Sequence, residues 1–204
     1  MNRLYLLRHC APLMPEGHCI GNGTDLPLSP EGEQQAMELA RTFGSVAVDK
    51  AFCSRLVRSR RTAEILSNGR FPVEELCGLD ELGVGLWENM SFADIRRDFP
   101  EEYAARGLDM SIPPPGGESI CKAAVRMEAA LGWAMECATG DVLAIGHAGV
   151  NRAFLCNILK MDMKNYRSIP QPYGCVNVIL YDAGSWRVET VGLSAEEFLK
   201  GKDR

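Results

Sequence analysis

Two histidines follow apolar runs that are typical of buried strands. Residues 4–7 run directly into Arg8 and His9, and residues 141–146 run into His147. Open α/β sheets keep their ligand crevices at the carboxyl ends of their strands. We therefore expect His9 and His147 to converge on one site, with the guanidinium of Arg8 beside them.

The pair Arg8-His9 suggests phosphoryl chemistry. A neutral imidazole is a competent nucleophile toward phosphorus when a backbone carbonyl holds its other ring nitrogen. Cations must then neutralise the phosphoryl oxygens, and arginine supplies a planar fork of donors for that purpose. A single Arg-His pair, taken alone, is more often a surface ion-pair partner beside a satisfied histidine.

Further cations lie at the start of a predicted helix that follows residues 49–53. The four arginines there are Arg55, Arg58, Arg60 and Arg61. Basic side chains at a helix N-terminus oppose the helix dipole, so a bound anion would explain them. At least two of the four are equally explained as a solvated basic face, and periodicity does not choose among them.

An acid is also needed, because an alkoxide leaves phosphorus slowly unless it is protonated. Asp80 and Glu81 follow the predicted strand 72–76, and either could be that acid or only a turn former. The chain contains no P-loop, no aspartate-rich metal motif and no H-E-x-x-H sequence. The sequence therefore predicts chemistry that needs neither a metal nor a cofactor.

The predicted elements alternate between strands and helices. Helices are predicted from Ser29-Pro30, over 119–138 and from about Ala148, with a short one at 196–204. The pattern predicts a three-layer α/β/α sandwich with a mostly parallel sheet, and the closing hairpin predicts one antiparallel edge. The predicted strands are 3–8, 49–53, 72–76, 141–146, 175–181 and 186–191.

Bulk composition narrows the class of protein. The chain has 204 residues, 46% apolar content and a formal charge of −5, which predicts one domain over 1–204 with no nucleic-acid or membrane partner. A Gly- and Pro-rich stretch at 83–117 is predicted to be a cap-like excursion over the crevice. The eight cysteines form no C-x-x-C pair, which favours reduced thiols and a cytoplasmic protein.

Six sequence blocks, taken in order, resemble the histidine phosphatase superfamily, also called the phosphoglycerate mutase-like family. Any one block is a weak signal, but all six follow the family order between residue 4 and about 152. They are Leu7-Arg8-His9, Asp25-Leu26-Pro27-Leu28-Ser29, the run from Ser54 to Ala63, Leu79-Asp80-Glu81 with Gly85 and Trp87-Glu88, Pro115-Gly116-Gly117-Glu118-Ser119, and Gly146-His147-Ala148-Gly149-Val150.

The resemblance implies a role for each matching residue. His9 becomes the residue that is phosphorylated, and Arg8, Arg58 and His147 form the rest of the phosphate pocket. Glu81 matches the family's proton donor. The implied activity is hydrolysis of a small-molecule phosphate ester without a metal, and the compact chain is most similar to short members such as α-ribazole phosphatase.

Two departures from the family pattern bear on this prediction. Cys10 stands where the family has glycine, and its side chain could crowd the pocket floor, lower its own thiol pKa or lie buried and inert. The loop before Asp25 is one residue longer than in the family pattern. We therefore expect Thr24 to make the polar contact with the phosphate that this loop usually supplies. Two other functions stay open: a cofactor-dependent phosphoglycerate mutase and a catalytically impaired phospholigand-binding protein.

Overall fold

A six-stranded sheet forms the centre of the protein, in a computed structural model that describes residues 1–202. Its strand order is β4-β3-β6-β1-β7-β8. The strands are β1 (Asn2–Arg8), β3 (Lys50–Cys53), β4 (Val73–Glu75), β6 (Val142–Gly146), β7 (Val176–Asp182) and β8 (Ser185–Leu193), with β2 (His18–Cys19) and β5 (Met90–Ser91) forming a separate pair.

The strand directions confirm the predicted fold class. Strands β4, β3, β6 and β1 are parallel, whereas β7 pairs antiparallel with both β1 and β8. The hairpin of β7 and β8 therefore forms the antiparallel edge that the sequence predicts.

Seven α-helices accompany these strands within the described residues. The predicted helix at 119–138 is present as α5, and the predicted tail helix as α7, whose expected end at residues 203–204 lies outside the described part of the chain. The helices are α1 (Pro30–Thr42), α2 (Val57–Ser67), α3 (Phe92–Asp98), α4 (Pro100–Leu108), α5 (Ile120–Glu136), α6 (Ala148–Ile158) and α7 (Ala195–Lys202).

Alternating side chains of the sheet feed two hydrophobic clusters. Leu4 and Leu6 of β1 pack with α5 and α6 on one face, while Tyr5 and Leu7 pack with α1, α2 and α7 on the other. Because successive side chains of a strand point to opposite faces, a strand covered on both faces must be apolar throughout. Strand β6 is buried at all five positions.

Helix α1 holds the loop that follows β1. Ser29 caps this helix, since its Oγ accepts the N–H of Gly32 at 3.0 Å, and Pro30 occupies the first turn. Gly32 packs so closely on the backbone of Ala11 that a Cβ there would overlap the Ala11 carbonyl oxygen. This close approach fixes the backbone just beyond His9.

The segment 83–117 contains structure that periodicity does not predict. A 3₁₀ turn at Gly85–Trp87, strand β5, and helices α3 and α4 follow one another, and β5 pairs with β2 through His18 and Cys19. Strands of two residues carry no readable alternation. Their pairing connects this segment to the loop after β1.

Candidate active site

His9 lies directly beyond the carboxyl end of β1 and is almost fully buried, with 4% of its surface exposed. Its backbone N–H donates to the Gly146 carbonyl at 3.0 Å, and its ring Nδ1 lies 2.7 Å from the Cys10 carbonyl oxygen. A carbonyl can only accept, so Nδ1 carries the proton and Nε2 keeps a free lone pair.

The charge state of His9 suits a nucleophile. Burial lowers the pKa of His9 well below its usual value, and the positive charges of Arg58 and Arg8 lower it further. The imidazole is therefore neutral at physiological pH, and its Nε2 is available to attack.

His147 lies beside His9 because β6 and β1 are parallel neighbours in register, with Arg8 opposite Gly146. The two imidazole centroids are 4.8 Å apart. The Nε2 of His147 is 2.7 Å from the Ser54 hydroxyl, and that oxygen already accepts the Leu56 N–H. The Ser54 hydroxyl has no other acceptor within residues 1–202, so its proton goes to Nε2, which leaves the proton of His147 on Nδ1.

That Nδ1 is a buried donor with no partner among the described residues. Burial lowers the pKa of His147 well below its usual value, and the positive charges of Arg58 and Arg8 lower it further. A neutral ring with a free N–H beside His9 is suited to donate a hydrogen bond to an entering oxyanion.

The four arginines of the 55–61 cluster differ in their ion-pair and hydrogen-bond partners. Arg55 pairs with Asp80 at 2.6 Å, and Arg60 and Arg61 pair with Glu75 and Glu33, which lie on neighbouring elements. Arg58 differs from them, because it is 2% exposed and, within residues 1–202, donates only to the backbone carbonyls of Thr24 and Gly21, at 3.0 Å each. Its positive charge is left for a ligand.

Arg8 is the second cation beside His9, and it is partly buried. Its Nη1 donates to the Gln171 carbonyl at 2.7 Å, and its guanidinium lies 3.6 Å from the ring centroid of Tyr173. Its buried Nε has no partner among the described residues. The stacking holds the guanidinium flat while donor capacity remains free.

Asp80 and Glu81 have separate environments. Asp80 is buried and accepts from both the backbone and the side chain of Arg55, so it is a structural partner. Glu81 lines the cavity, and its carboxylate accepts the N–H groups of Gly149, Val150 and Leu82 at 2.8–2.9 Å. Two of these donors belong to the first turn of α6, a favourable place for a carboxylate.

Thr24 is placed behind Arg58. Its hydroxyl donates to Glu88 at 2.8 Å, and its carbonyl accepts from Arg58. Glu88 also accepts the N–H groups of Gly21 and Gly23, so it fastens the whole loop. A direct contact between the Thr24 hydroxyl and a phosphate would require the bond to Glu88 to break.

Cys10 faces away from the cavity, in the cluster under α1 and α2. Burial raises the pKa of its thiol to about 12, so the group is a protonated, inert side chain. Its backbone N–H donates to the Thr62 hydroxyl, and its φ is not positive. A Cβ is therefore accommodated here without crowding the site.

A cavity of about 520 Å³ opens in front of His9. Segment 83–117 supplies part of its wall through Trp87, Phe92 and Tyr103, which the sequence leaves open as ring contacts or core. Sequence reasoning missed further lining residues from distant segments. Arg152 is readable as a cation on the helix that follows His147, but no local signal marks the others, Arg106, Tyr166, Arg167 and Tyr173.

None of the helices within residues 1–202 is long and apolar enough to cross a membrane. No group of three or more His, Cys, Asp or Glu side chains in the same range is arranged to hold a metal ion.

The chain is similar both to part of a longer protein and to nearly the whole of a shorter one. The chain is 30% identical over 205 residues to mouse 6-phosphofructo-2-kinase/fructose-2,6-bisphosphatase 1, covering 98% of this chain but only 42% of that protein. It is 26% identical over 180 residues to the adenosylcobalamin/α-ribazole phosphatase of Escherichia coli K12, covering 87% of this chain and 89% of that one.

Solved structures share the whole fold. Bacillus stearothermophilus YhfR superposes with a TM-score of 0.86 at 27% identity, covering 96% of this chain and 99% of that one. The family model of the histidine phosphatase superfamily, branch 1, matches residues 4–194. This match spans His9, Arg58, Glu81 and His147. The chain therefore belongs to the histidine phosphatase superfamily, and its relatives support a phosphatase or mutase-type activity.

Proposed function

We propose that this protein hydrolyses a small phosphomonoester through a phosphohistidine intermediate on His9, without a metal. The observation that carries the proposal is the free Nε2 of a neutral His9 beside Arg8 and Arg58, neither of which has an ion-pair partner within residues 1–202. Beside it, the free Nδ1–H of His147 supplies a further donor. Together these groups favour an oxyanion at one position.

In the first half-reaction, His9 Nε2 forms a bond to phosphorus while the bond from phosphorus to the ester oxygen breaks. Arg8, Arg58 and His147 balance the charge on the equatorial oxygens. Glu81, in its protonated form, gives its proton to the leaving alkoxide, which departs as the alcohol.

In the second half-reaction, Glu81 takes a proton from water as the water oxygen attacks phosphorus. The bond from His9 Nε2 to phosphorus breaks, inorganic phosphate leaves, and Glu81 is again protonated. In this structure both carboxylate oxygens of Glu81 accept backbone N–H groups. The carboxyl group turns from these donors toward the leaving oxygen when it gives up its proton.

The same site arrangement is compatible with phosphoryl transfer to a second alcohol. One relative, the probable phosphoglycerate mutase GpmB of Cronobacter sakazakii, is 27% identical over 209 residues and covers 94% of this chain. A mutase must return the phosphoryl group before water reacts with it. Activity that depends on a bisphosphorylated primer would therefore distinguish a mutase from a phosphatase.

The test is phosphate release in EDTA and fresh reductant by the intact protein and by His9→Ala. The substrates are p-nitrophenyl phosphate, α-ribazole phosphate, sugar phosphates, and 3-phosphoglycerate with and without its bisphosphate. We expect His9-dependent release and an acid-labile, base-stable phosphoenzyme that His9→Ala does not form. Phosphate binding without any release by the intact protein would refute the enzyme and favour a phospholigand-binding protein.

A further inference from the structure

The cavity contains more positive charge than one phosphate requires. Its lining includes five arginines but a single carboxylate, that of Glu81, which the N–H groups of α6 already occupy. Arg8 and Arg58 belong to the phosphate pocket. The other three, Arg106, Arg152 and Arg167, have no carboxylate partner among residues 1–202.

These three arginines line the cavity together with Tyr166. Burial and then the carboxylate of Glu81 raise the pKa of Tyr166, and the charges of Arg152, Arg106 and Arg167 lower it, whereas the charges that lower the pKa of His9 are those of Arg58 and Arg8. The three come from separate elements, namely α4, α6 and the 3₁₀ helix Met163–Ser168. The cavity therefore has a second cationic end, with Arg152 also close enough to Arg8 to lower its pKa.

The second end is electrostatically unsatisfied. Arg106 is 8% exposed, and its Nη1 donates to the backbone carbonyls of Met110 and Ile112. Burial lowers the pKa of Arg106, and the charge of Arg167 lowers it further. Buried charges without a counter-charge are costly, and like charges held close together repel each other. An anion at this position would offset both effects.

Arg152 and Arg167 also have guanidinium N–H groups that make no hydrogen bond within residues 1–202. In the described part of the chain, Arg152 donates only through its Nε, to the Ile169 carbonyl at 2.8 Å. The guanidinium of Arg167 is exposed and makes no hydrogen bond within the described residues. A structural role explains the carbonyl contacts of Arg106 and Arg152, but it does not explain why Arg167 faces the same cavity.

We propose that the substrate is a phosphomonoester that carries a second oxyanion, a carboxylate or another phosphate, at the end remote from the reacting phosphate. This inference rests on the proposed function. Apolar side chains of Trp87, Phe92 and Met110 line the cavity as well, which suits a short carbon or sugar linker between the two anionic groups. The second oxyanion binds among Arg106, Arg152 and Arg167.

The test compares matched substrates that differ in the second anion. 3-Phosphoglycerate against glycerol 3-phosphate tests a carboxylate, and fructose 1,6-bisphosphate against fructose 1-phosphate tests a phosphate. We expect the intact protein to have a higher kcat/KM for the member that carries the second anionic group, in at least one of the two pairs. In Arg167→Gln and Arg152→Gln, that preference should fall about 10- to 100-fold, chiefly through KM, as when a charge-assisted hydrogen bond is lost.

Arg187→Gln is the matched control, because Arg187 is an exposed arginine of β8 that does not line the cavity. It should keep the preference of the intact protein. Equal rates on both members of both pairs would overturn the inference, and so would losses in Arg167→Gln that are the same for both members.

Binding separates this inference from the proposed function. Calorimetry with His9→Ala compares the Kd of each substrate pair when no turnover is possible. The second oxyanion site is supported if His9→Ala binds the member with the second anionic group more tightly and if this difference disappears in His9→Ala combined with Arg167→Gln. That support holds even if the intact protein releases no phosphate from p-nitrophenyl phosphate. Equal affinity for both members would reject the site whatever the catalytic result.

Discussion

Replacing Glu81 by Gln tests the proposed acid most directly, because it removes the titratable proton and keeps the shape of the side chain. In the present structure the carboxylate accepts three backbone N–H groups through two oxygens. A glutamine oxygen can still accept the two that now reach Oε1, from Leu82 and Val150. Its amide NH₂ cannot accept from Gly149, so one charge-assisted hydrogen bond is lost.

The loss of that bond sets the expected effect on stability. A hydrogen bond to a charged group contributes roughly 1.5–3 kcal/mol, so Glu81→Gln should lower the free energy of unfolding by about that amount. For a chain of this length, the corresponding fall in Tm is about 3 to 12 °C. Urea unfolding followed by circular dichroism measures the change and shows that the variant is folded.

The kinetic signature depends on the leaving group. General acid catalysis contributes roughly 10²–10⁴-fold, so kcat/KM for an alkyl phosphate should fall by about that factor in Glu81→Gln. Nitrophenolate leaves without a proton, so kcat/KM for p-nitrophenyl phosphate should change much less. Its kcat should still fall, because hydrolysis of the phosphoenzyme needs Glu81 as a base, and a burst of nitrophenolate should precede slow turnover.

Asp80→Asn is the matched control. It weakens the bidentate pair with Arg55 and should affect stability, but it should lower kcat/KM for alkyl and nitrophenyl phosphates by similar factors. Equal losses for the two substrate classes in Glu81→Gln would refute Glu81 as the acid that protonates the leaving group.

Three other changes test the surrounding framework. Arg58→Lys should lower kcat/KM about 100-fold, because it removes a guanidinium fork from the phosphate pocket. Arg61→Lys alters only an exposed ion pair, so its kcat/KM should stay within about threefold of that of the intact protein. Similar losses in the two variants would contradict the choice of Arg58. The folded-state pKa values of His9 and His147 lie below those of an unfolded chain. The phosphate-free protein should therefore lose stability as the pH falls below about 6.5. A urea midpoint that does not drop between pH 7.5 and 5.5 would contradict the neutrality of the two histidines. Gly32→Ala should destabilise the fold by about 1–3 kcal/mol, since its Cβ overlaps a backbone carbonyl, and an unchanged Tm would show that the loop moves freely.

Local sequence patterns were sufficient for the main elements of the sheet. The predicted strands at 3–8 and 141–146 match β1 and β6 closely, because strands buried on both faces are continuous apolar runs. The antiparallel hairpin near the end also follows from a short turn between two β-rich runs. The pairing of β2 with β5 was not predictable, since two-residue strands have no periodicity.

The sequence by itself determined that two histidines and an arginine stand at strand ends, because strand polarity is encoded locally. Only the tertiary structure decided which members of each chemical cluster are free to act. Arg58 differs from Arg55 because a carboxylate pairs with Arg55 and not with Arg58 within residues 1–202. Asp80 differs from Glu81 because an arginine holds Asp80, whereas backbone N–H groups hold Glu81 at the cavity. The second cationic end is likewise tertiary, since long-range packing alone brings the helices of Arg106 and Arg152 to one cavity.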